Sequence, residues 1–156
     1  MLANIFRNKL IKLITDNDSW NGAKGEDNGI PFLLRFRPRL QDFIATHKYN
    51  TRIIVTWTYS TNNSSRIPDQ DTIKLMEKLE DILVEKLEKD VTSVLAFVYT
   101  GNNERNWHWY SRDNNETIER VHKTLEHFEG LPVQVFYEED PTWEEYYLVL
   151  KGTSEK

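Results

Sequence analysis

A strongly aromatic hairpin near the middle of the chain constrains the fold more than any other feature. Residues 94–99 read VLAFVY and residues 105–110 read RNWHWY, with the turn sequence TGNNE between them. Both runs are rich in the β-branched and aromatic residues that favour strands, and Asn102 and Asn103 suit a tight turn. The pattern predicts two directly connected antiparallel strands, so the chain contains a sheet.

The segments that flank this hairpin predict a repeated arrangement of strand and helix. Residues 52–60 form a β-branched and aromatic run that is apolar enough for a central strand. Asp69 is the predicted N-cap of a helix to residue 89, and Asp113 opens a second helix to residue 128, before a strand over 131–137. The order βαββαβ predicts a ferredoxin-like sheet with two helices on one face. Right-handed crossovers then place the strands over 52–60 and 105–110 in its centre.

Further elements are predicted on either side of this unit. Residues 20–29 are rich in Gly, Asn and acids and predict an exposed loop. Residues 31–38 predict an extra N-terminal strand that lies at a sheet edge or ends at Pro38, which cannot donate to a ladder. Asp140, followed by Pro141, predicts the start of a short C-terminal helix.

The N-terminal stretch predicts an amphipathic helix. Its residues recur at helical spacing, namely Leu2, Ile5, Phe6, Lys9 and Leu13. We expect this helix to dock on its own domain or on a partner subunit, and a basic face that meets a membrane surface is the alternative. The predicted fold class is α+β, with residues 1–19 as helix and linker, 20–150 as a single domain and 151–156 as a disordered tail.

Composition narrows the class of protein. The chain has no cysteine, which excludes disulfides, thiolate nucleophiles and Cys-based zinc sites. Its net charge of -5 disfavours nucleic acid as the default partner, since phosphate neutralisation needs Lys and Arg. No run approaches the ~20 apolar residues of a membrane span, and no signal peptide is predicted. We expect a cytoplasmic protein.

An arginine stripe is the first candidate binding surface. Arg35, Arg37 and Arg39 share one side of the predicted strand by period-two alternation, opposite Phe32, Leu34 and Phe36. Such a stripe suits a phosphate, a carboxylate or an acidic partner. The alternative is a solvated strand face whose charges block aggregation at an edge.

An aromatic set is the second candidate. Trp57, Tyr59, Trp107 and Trp109 alternate so that they share faces within their strands, and Arg105 lies beside them. On an open sheet face these residues would stack bases, as in RNA-binding sheets, although the sequence signatures of the RNA-recognition sheet are absent. The alternative is that they belong to the core, which aromatic residues commonly dominate.

Catalytic and cofactor signals are lacking. Helix capping and the helix dipole explain most of the acidic residues between 138 and 145, and no calcium-loop spacing occurs. His122 and His127 are five residues apart and miss the i, i+4 spacing of a helical zinc pair. No phosphate-binding glycine loop and no nucleophile elbow is present. We therefore predict no catalytic residue, no metal and no cofactor. An unrecognised hydrolase-type enzyme ranks third among the functions considered, after protein binding and the binding of RNA or a nucleotide.

Several marks in order resemble the bacterial domain-of-unknown-function family 695, over about residues 20–146. They are Gly29-Ile30-Pro31 before Arg35-Phe36-Arg37, the Trp57 strand, Ile67-Pro68 before a helix with Glu80-Asp81, the Arg105 turn, and the closing run from Asp140 to Tyr146. The family's usual Arg-Glu-Trp is Arg105-Asn106-Trp107 here, which removes any acidic role at that position. The resemblance implies a ferredoxin-like fold similar to that of small proteins that regulate ribonuclease E. It implies no activity, cofactor or catalytic residue, and some relatives resemble immunity or accessory proteins of toxin loci.

Taken together, these signals favour a non-enzymatic domain that binds a protein partner, as a regulator or a toxin-neutralising protein. Binding of RNA or a nucleotide through an open aromatic and basic sheet face is the alternative. A homodimer through the N-terminal helix or an edge strand is compatible with either.

Overall fold

The computed structural model describes residues 2–16, 18–61 and 64–154, which form five helices and six strands. The helices are α1 (Leu2–Thr15), α2 (Gln41–Ala45), α3 (Gln70–Glu88), α4 (Asn114–Leu125) and α5 (Glu144–Ser154). The strands are β1 (Asn21–Asp27), β2 (Ile30–Phe36), β3 (Thr51–Thr58), β4 (Ser93–Gly101), β5 (Glu104–Ser111) and β6 (Val133–Glu139). Within the described residues, no helix is both long enough and apolar enough to cross a bilayer.

All six strands form a single antiparallel sheet in the order β1-β2-β4-β5-β3-β6. The segment from β3 to β6 has the predicted βαββαβ order, with β3 and β5 in the centre of its four strands, so the α+β class is confirmed. Asn102 and Asn103 both have positive φ at the tip of the β4–β5 hairpin, as a tight two-residue turn requires. A bulge between Leu95 and Phe97 shifts the register of β4 against β5.

The extra N-terminal strand is present as β2, but it does not form an edge. Residues 21–27, predicted to be an exposed loop, form β1 and pair with the whole of β2. The connection is Asn28-Gly29, and both residues have positive φ. A Cβ atom at Gly25 would lie 2.5 Å from the Phe32 ring, so the glycine lets that ring lie against the β1 backbone. The loop prediction was wrong because β1 pairs with β2 despite its loop-like composition, and at Gly25 the glycine serves close packing within the strand.

Helices α3 and α4 cover one face of the sheet. Met76, Leu79, Leu83 and Leu87 of α3 are fully buried against it, and Val121 of α4 joins them. The helix ends are capped as predicted, since Asp69 accepts a hydrogen bond from the Thr72 amide at 2.8 Å and Asp113 accepts from the Glu116 amide at 3.1 Å. Helix α4 ends at Leu125, earlier than predicted.

Replacing Asp69 with alanine should lower the free energy of unfolding, because the first turn of α3 loses its side-chain acceptor. Urea denaturation measures the change. Asp71→Ala is the control, because Asp71 lies two residues further along in the first turn and makes no capping bond. It should change the free energy of unfolding by less than about 0.5 kcal/mol. Equal effects of the two substitutions would contradict the capping role.

Helices α1, α2 and α5 cover part of the opposite face. Helix α1 docks on its own domain through Leu10 and Ile14, which are 5% and 7% exposed, whereas Ile5 is 63% exposed. Of the predicted stripe, Leu13 packs partly buried against the same cluster, and the side chains of Leu2 and Phe6 lie outside the described residues. Lys9, counted in the predicted stripe, lies on the exposed side of α1 and pairs with Asp42 of α2 at 3.6 Å.

Helix α5 begins three residues after the predicted position. Asp140 acts as the cap, since its carboxylate accepts from the amides of Glu144 and Glu145. Trp143 has a φ of 56°, which interrupts the helix before Glu144. This conformation lets the Trp143 ring stack on Tyr110 at 3.8 Å between centroids, and its indole nitrogen donates to the Tyr49 carbonyl. The helix continues to Ser154, four residues beyond the domain boundary predicted at residue 150.

Candidate functional site

The predicted aromatic set lies on the sheet face that α3 and α4 cover. Trp57, Trp107 and Trp109 are 3%, 0% and 0% exposed, and Tyr59 is also buried. All four belong to the core cluster that includes Leu79 and Leu83 of α3. In this structure no base can reach the ring faces of the tryptophans. The aromatic set is therefore packed in the core, which was the alternative to base stacking.

The predicted arginine stripe is split by the structure. Arg35 and Arg37 lie on the same face as the aromatic set, as their alternation predicts, whereas Arg39 lies beyond the end of β2 and is exposed. Arg37 is 4% exposed and donates to both carboxylate oxygens of Glu88 on α3, at 2.7 and 3.1 Å. It also bonds Asp18, at 2.9 Å from Nε. The Trp20 ring lies 4.7 Å from the Arg37 guanidinium carbon, so an aromatic face covers the charge.

Arg35 and Arg105 lie beside helix α3, near Glu80. Glu80 of α3 accepts from the Arg35 guanidinium and, at 2.9 Å, from the indole nitrogen of Trp107. Arg105 donates to the Thr100 hydroxyl at 2.8 Å, and burial lowers the pKa of its guanidinium, with the charge of Arg35 adding to the effect. Arg35, Arg37 and Arg105 are thus brought together against α3, and each makes at least one hydrogen bond within the chain.

A second polar cluster lies on the opposite face, at the centre of the sheet. Arg52 donates to Glu138 at 2.7 Å and approaches Nδ1 of His108 at 2.9 Å. A guanidinium only donates, so Nδ1 must accept and the ring proton resides on Nε2. The His108 ring stacks on Phe97 at 4.1 Å, and burial, together with the charge of Arg52, lowers its pKa to about 3. His108 is therefore a neutral acceptor at physiological pH.

The buried acid of this cluster is Asp140, which lies 3.6 Å from Nε of Arg52. It accepts from the Tyr110 hydroxyl at 2.7 Å while capping α5. Burial and this hydrogen bond raise the pKa of Tyr110 well above its usual range. The arrangement fixes α5 against β5 and gives Asp140 the capping role that the sequence predicted. No group of three or more His, Asp or Glu side chains suited to a metal ion occurs in residues 2–16, 18–61 and 64–154.

Strand β6 is one of the two edge strands of the sheet, and β1 is the other. Two consecutive aromatic residues on it project to opposite faces, and Phe136 is 50% and Tyr137 59% exposed. Its register with β3 pairs Ile54 with Phe136, and the Thr58 amide bonds the Pro132 carbonyl within the same register. By the alternation of an antiparallel ladder, the amides of residues 134, 136 and 138 face β3, and those of Val135, Tyr137 and Glu139 face outward. No partner for these outward amides is present among the described residues.

A family model described as a family of unknown function, DUF695, matches residues 18–150. This range is most of the chain and spans the whole sheet. The chain belongs to DUF695. No curated protein and no solved structure matches it.

The marks that carry the resemblance to DUF695 are largely framework residues in this chain. Arg37 joins β2 to α3, Glu80 holds Arg35 and Trp107, and Asp140 caps α5. Trp143 and Tyr146 from the closing run are fully buried. The surface of this DUF695 chain that offers unpaired backbone and exposed rings is instead the β6 edge, which was not named from the sequence. Its signal was the pair of adjacent aromatics in the last strand of a ferredoxin-like order, where an edge is expected.

Proposed function

We propose that this DUF695 chain is a non-enzymatic domain that binds a protein partner by strand addition to β6. The outward amides of Val135, Tyr137 and Glu139, flanked by the exposed rings of Phe136 and Tyr137, carry this proposal. An extended peptide that pairs with such an edge gains backbone hydrogen bonds, and side chains beside the edge give it specificity. The edge lacks the lysine, proline and bulge by which proteins commonly block such pairing.

The chemistry of the edge specifies the partner strand. Phe136 lies beside Ile54 on one face and Tyr137 beside the partly buried Val135 on the other, so apolar side chains are favoured at both faces of the incoming strand. Glu138 and Glu139 are exposed at the end of β6, and each is hydrogen-bonded to β3. We expect the partner to supply an extended segment with alternating apolar residues and a Lys or Arg opposite these carboxylates.

The backbone and the side chain of Tyr137 can be tested separately. A photo-crosslinking amino acid at position 136 would first identify the partner in lysate of the host, and binding would then be measured with the purified partner. Tyr137→Pro removes an outward amide without breaking the bonds to β3, and should weaken binding at least about tenfold. Tyr137→Thr retains the amide, and should weaken binding less.

The identity of the occupant has a separate readout. Equal affinity of both variants and the unmodified chain for the crosslinked partner would refute strand addition. A doubling of the molar mass in light scattering, lost in Tyr137→Pro, would show that a second copy of the chain occupies the edge and would overturn the assignment to a different protein. Thermal unfolding of each variant would show that the domain remains folded.

A further inference from the structure

A cleft between α1, α2 and the ends of β4 and β5 has no role in the proposed strand addition. Its volume is about 530 Å³, within the range typical of small-molecule sites. It lies on the sheet face away from α3 and α4, because Leu10, Tyr49 and Val91, which form its floor, belong to the core cluster beneath α1 and α5. The floor is apolar and buried, with each of these three residues at most 5% exposed.

The rim of this cleft is strongly cationic. Arg7, Lys9, Lys48 and Arg112 line it, against the single carboxylate of Asp42. Asp42 lies 3.6 Å from Lys9, and no carboxylate of the described residues lies within salt-bridge distance of Arg7 or Lys48. This charge opposes that of the whole chain, which is -5. A local positive potential on an acidic protein selects anions at this cleft.

Asp90, the residue before Val91, pairs with a cation outside the rim. Asp90 makes two hydrogen bonds to Arg120, at 3.0 and 2.9 Å, and these hold the pKa of its carboxyl well below the usual range. Arg112 donates to the carbonyl of Asp90, which fixes its guanidinium at the cleft. The Tyr49 hydroxyl donates to the Val91 carbonyl at 2.6 Å, so the buried floor offers no free hydroxyl to a ligand.

We infer that this cleft binds a small organic phosphate with an apolar or aromatic body, of the size of a nucleoside monophosphate. The arginine and lysine side chains of the rim would hold the phosphate, and the exposed Ala45 with the aliphatic stems of these cations would contact the body. Inorganic phosphate lacks the second set of contacts and binds more weakly. The site is separate from β6, so it is independent of the proposed strand addition.

Isothermal titration calorimetry with AMP, inorganic phosphate and citrate tests the inference. We expect AMP to bind in the range of about 10 to 100 μM, at least about tenfold tighter than inorganic phosphate or citrate, and to weaken as salt rises. The variant carrying Arg7→Gln and Lys48→Gln should bind AMP at least about tenfold more weakly. The matched control carries Lys74→Gln and Lys86→Gln on α3, with the same change of net charge on the other face of the sheet, and should bind AMP like the unmodified chain.

Each of three results would overturn the inference. They are no AMP binding at millimolar concentration, equal losses in the cleft and control variants, and citrate binding as tightly as AMP. Tyr137→Pro should leave AMP binding unchanged, so a failure of strand addition and a failure of the anion site are distinguishable.

Discussion

Replacing Arg37 with methionine should lower the free energy of unfolding by about 3 to 5 kcal/mol. The substitution retains most of the aliphatic volume but leaves Glu88, which is 6% exposed, without its cation. Burial already raises the pKa of the Glu88 carboxyl despite the guanidinium beside it, and only the Leu95 amide would remain as a donor to it. Breaking a buried pair costs more than the pair contributes, because the remaining charge is uncompensated.

The arginine stripe contains its own controls for this measurement. Arg39→Met should change the free energy of unfolding by less than about 0.5 kcal/mol, because Arg39 is exposed. Arg35→Met should cost about 0.5 to 1 kcal/mol, since its side chain is 43% exposed and its bond to Glu80 is screened by solvent. Urea denaturation should show the largest loss of stability for Arg37→Met, a smaller loss for Arg35→Met and the smallest for Arg39→Met. A loss in Arg37→Met no larger than that in Arg39→Met would show that the ion pair between Arg37 and Glu88 contributes nothing to stability.

The double variant Arg37→Met with Glu88→Leu separates loss of the pair from loss of packing. It removes both charges and should be more stable than Arg37→Met alone, because no buried charge is left unpaired. If the double variant were less stable than the single one, the effect of Arg37 would instead come from packing against Trp20.

Acidification from pH 6.5 to pH 4.5 should reduce the free energy of unfolding by about 2 to 3 kcal/mol through His108 alone. The pKa of His108 is about 6.5 in the unfolded chain and about 3 in the folded chain. The unfolded state therefore binds more protons throughout this window, and the free energy of unfolding falls as the pH falls. The contribution is complete above the unfolded pKa and is lost progressively toward the folded one. Protonation of Nδ1 would break its contact with Arg52 and place two positive charges side by side.

His108→Asn provides the comparison. An asparagine carbonyl oxygen can replace Nδ1 as the acceptor for Arg52 and does not titrate, so the variant should lose most of the slope between pH 6.5 and pH 4.5 while having lower stability at pH 7. His47, His122 and His127 are exposed and remain in both proteins. Urea midpoints at several pH values measure the slope, and an unchanged slope in the variant would assign the acid sensitivity to other groups. Chemical shifts of the His108 ring should show no protonation above about pH 4.

Local patterns predicted the strand and helix order because the signals were periodic and capped. The β4–β5 hairpin followed from alternating aromatics around Asn102 and Asn103, and α3 from Asp69 and its apolar stripe. The same signals underlie the correct central position of β3 and β5. Asn28-Gly29 is an equally strong hairpin signal, but β1 has the sequence NGAKGED, which has almost no strand propensity. Strand β1 is held by pairing with β2 and by the fit of Phe32 over Gly25, and both are tertiary effects.

Alternation placed Arg35 and Arg37 on one face but could not tell which face the helices cover. The difference between an exposed stripe and a buried clamp depends on Glu80 and Glu88, about 45 to 51 residues away along the chain. The cationic cleft was invisible for the same reason, since Arg7, Lys48 and Arg112 come from three distant segments. The onset of α5 was misplaced because Asp140-Pro141 signals a helix start, while the left-handed Trp143 depends on a stacking partner from β5.

The hydroxyl of Tyr146 has a consequence for how the domain comes apart. It donates to the carbonyl of Arg37 at 2.6 Å, on the side of the sheet opposite to the one where the Arg37 guanidinium holds α3. Arg37, directly after the end of β2, therefore joins the C-terminal helix α5 to the long helix α3 across the strand layer. Detachment of α5 would loosen the backbone that positions the ion pair between Arg37 and Glu88. Loss of this ion pair would in turn loosen α5. The two helical layers are thus expected to open together, as one cooperative unit rather than as separable covers on a common sheet.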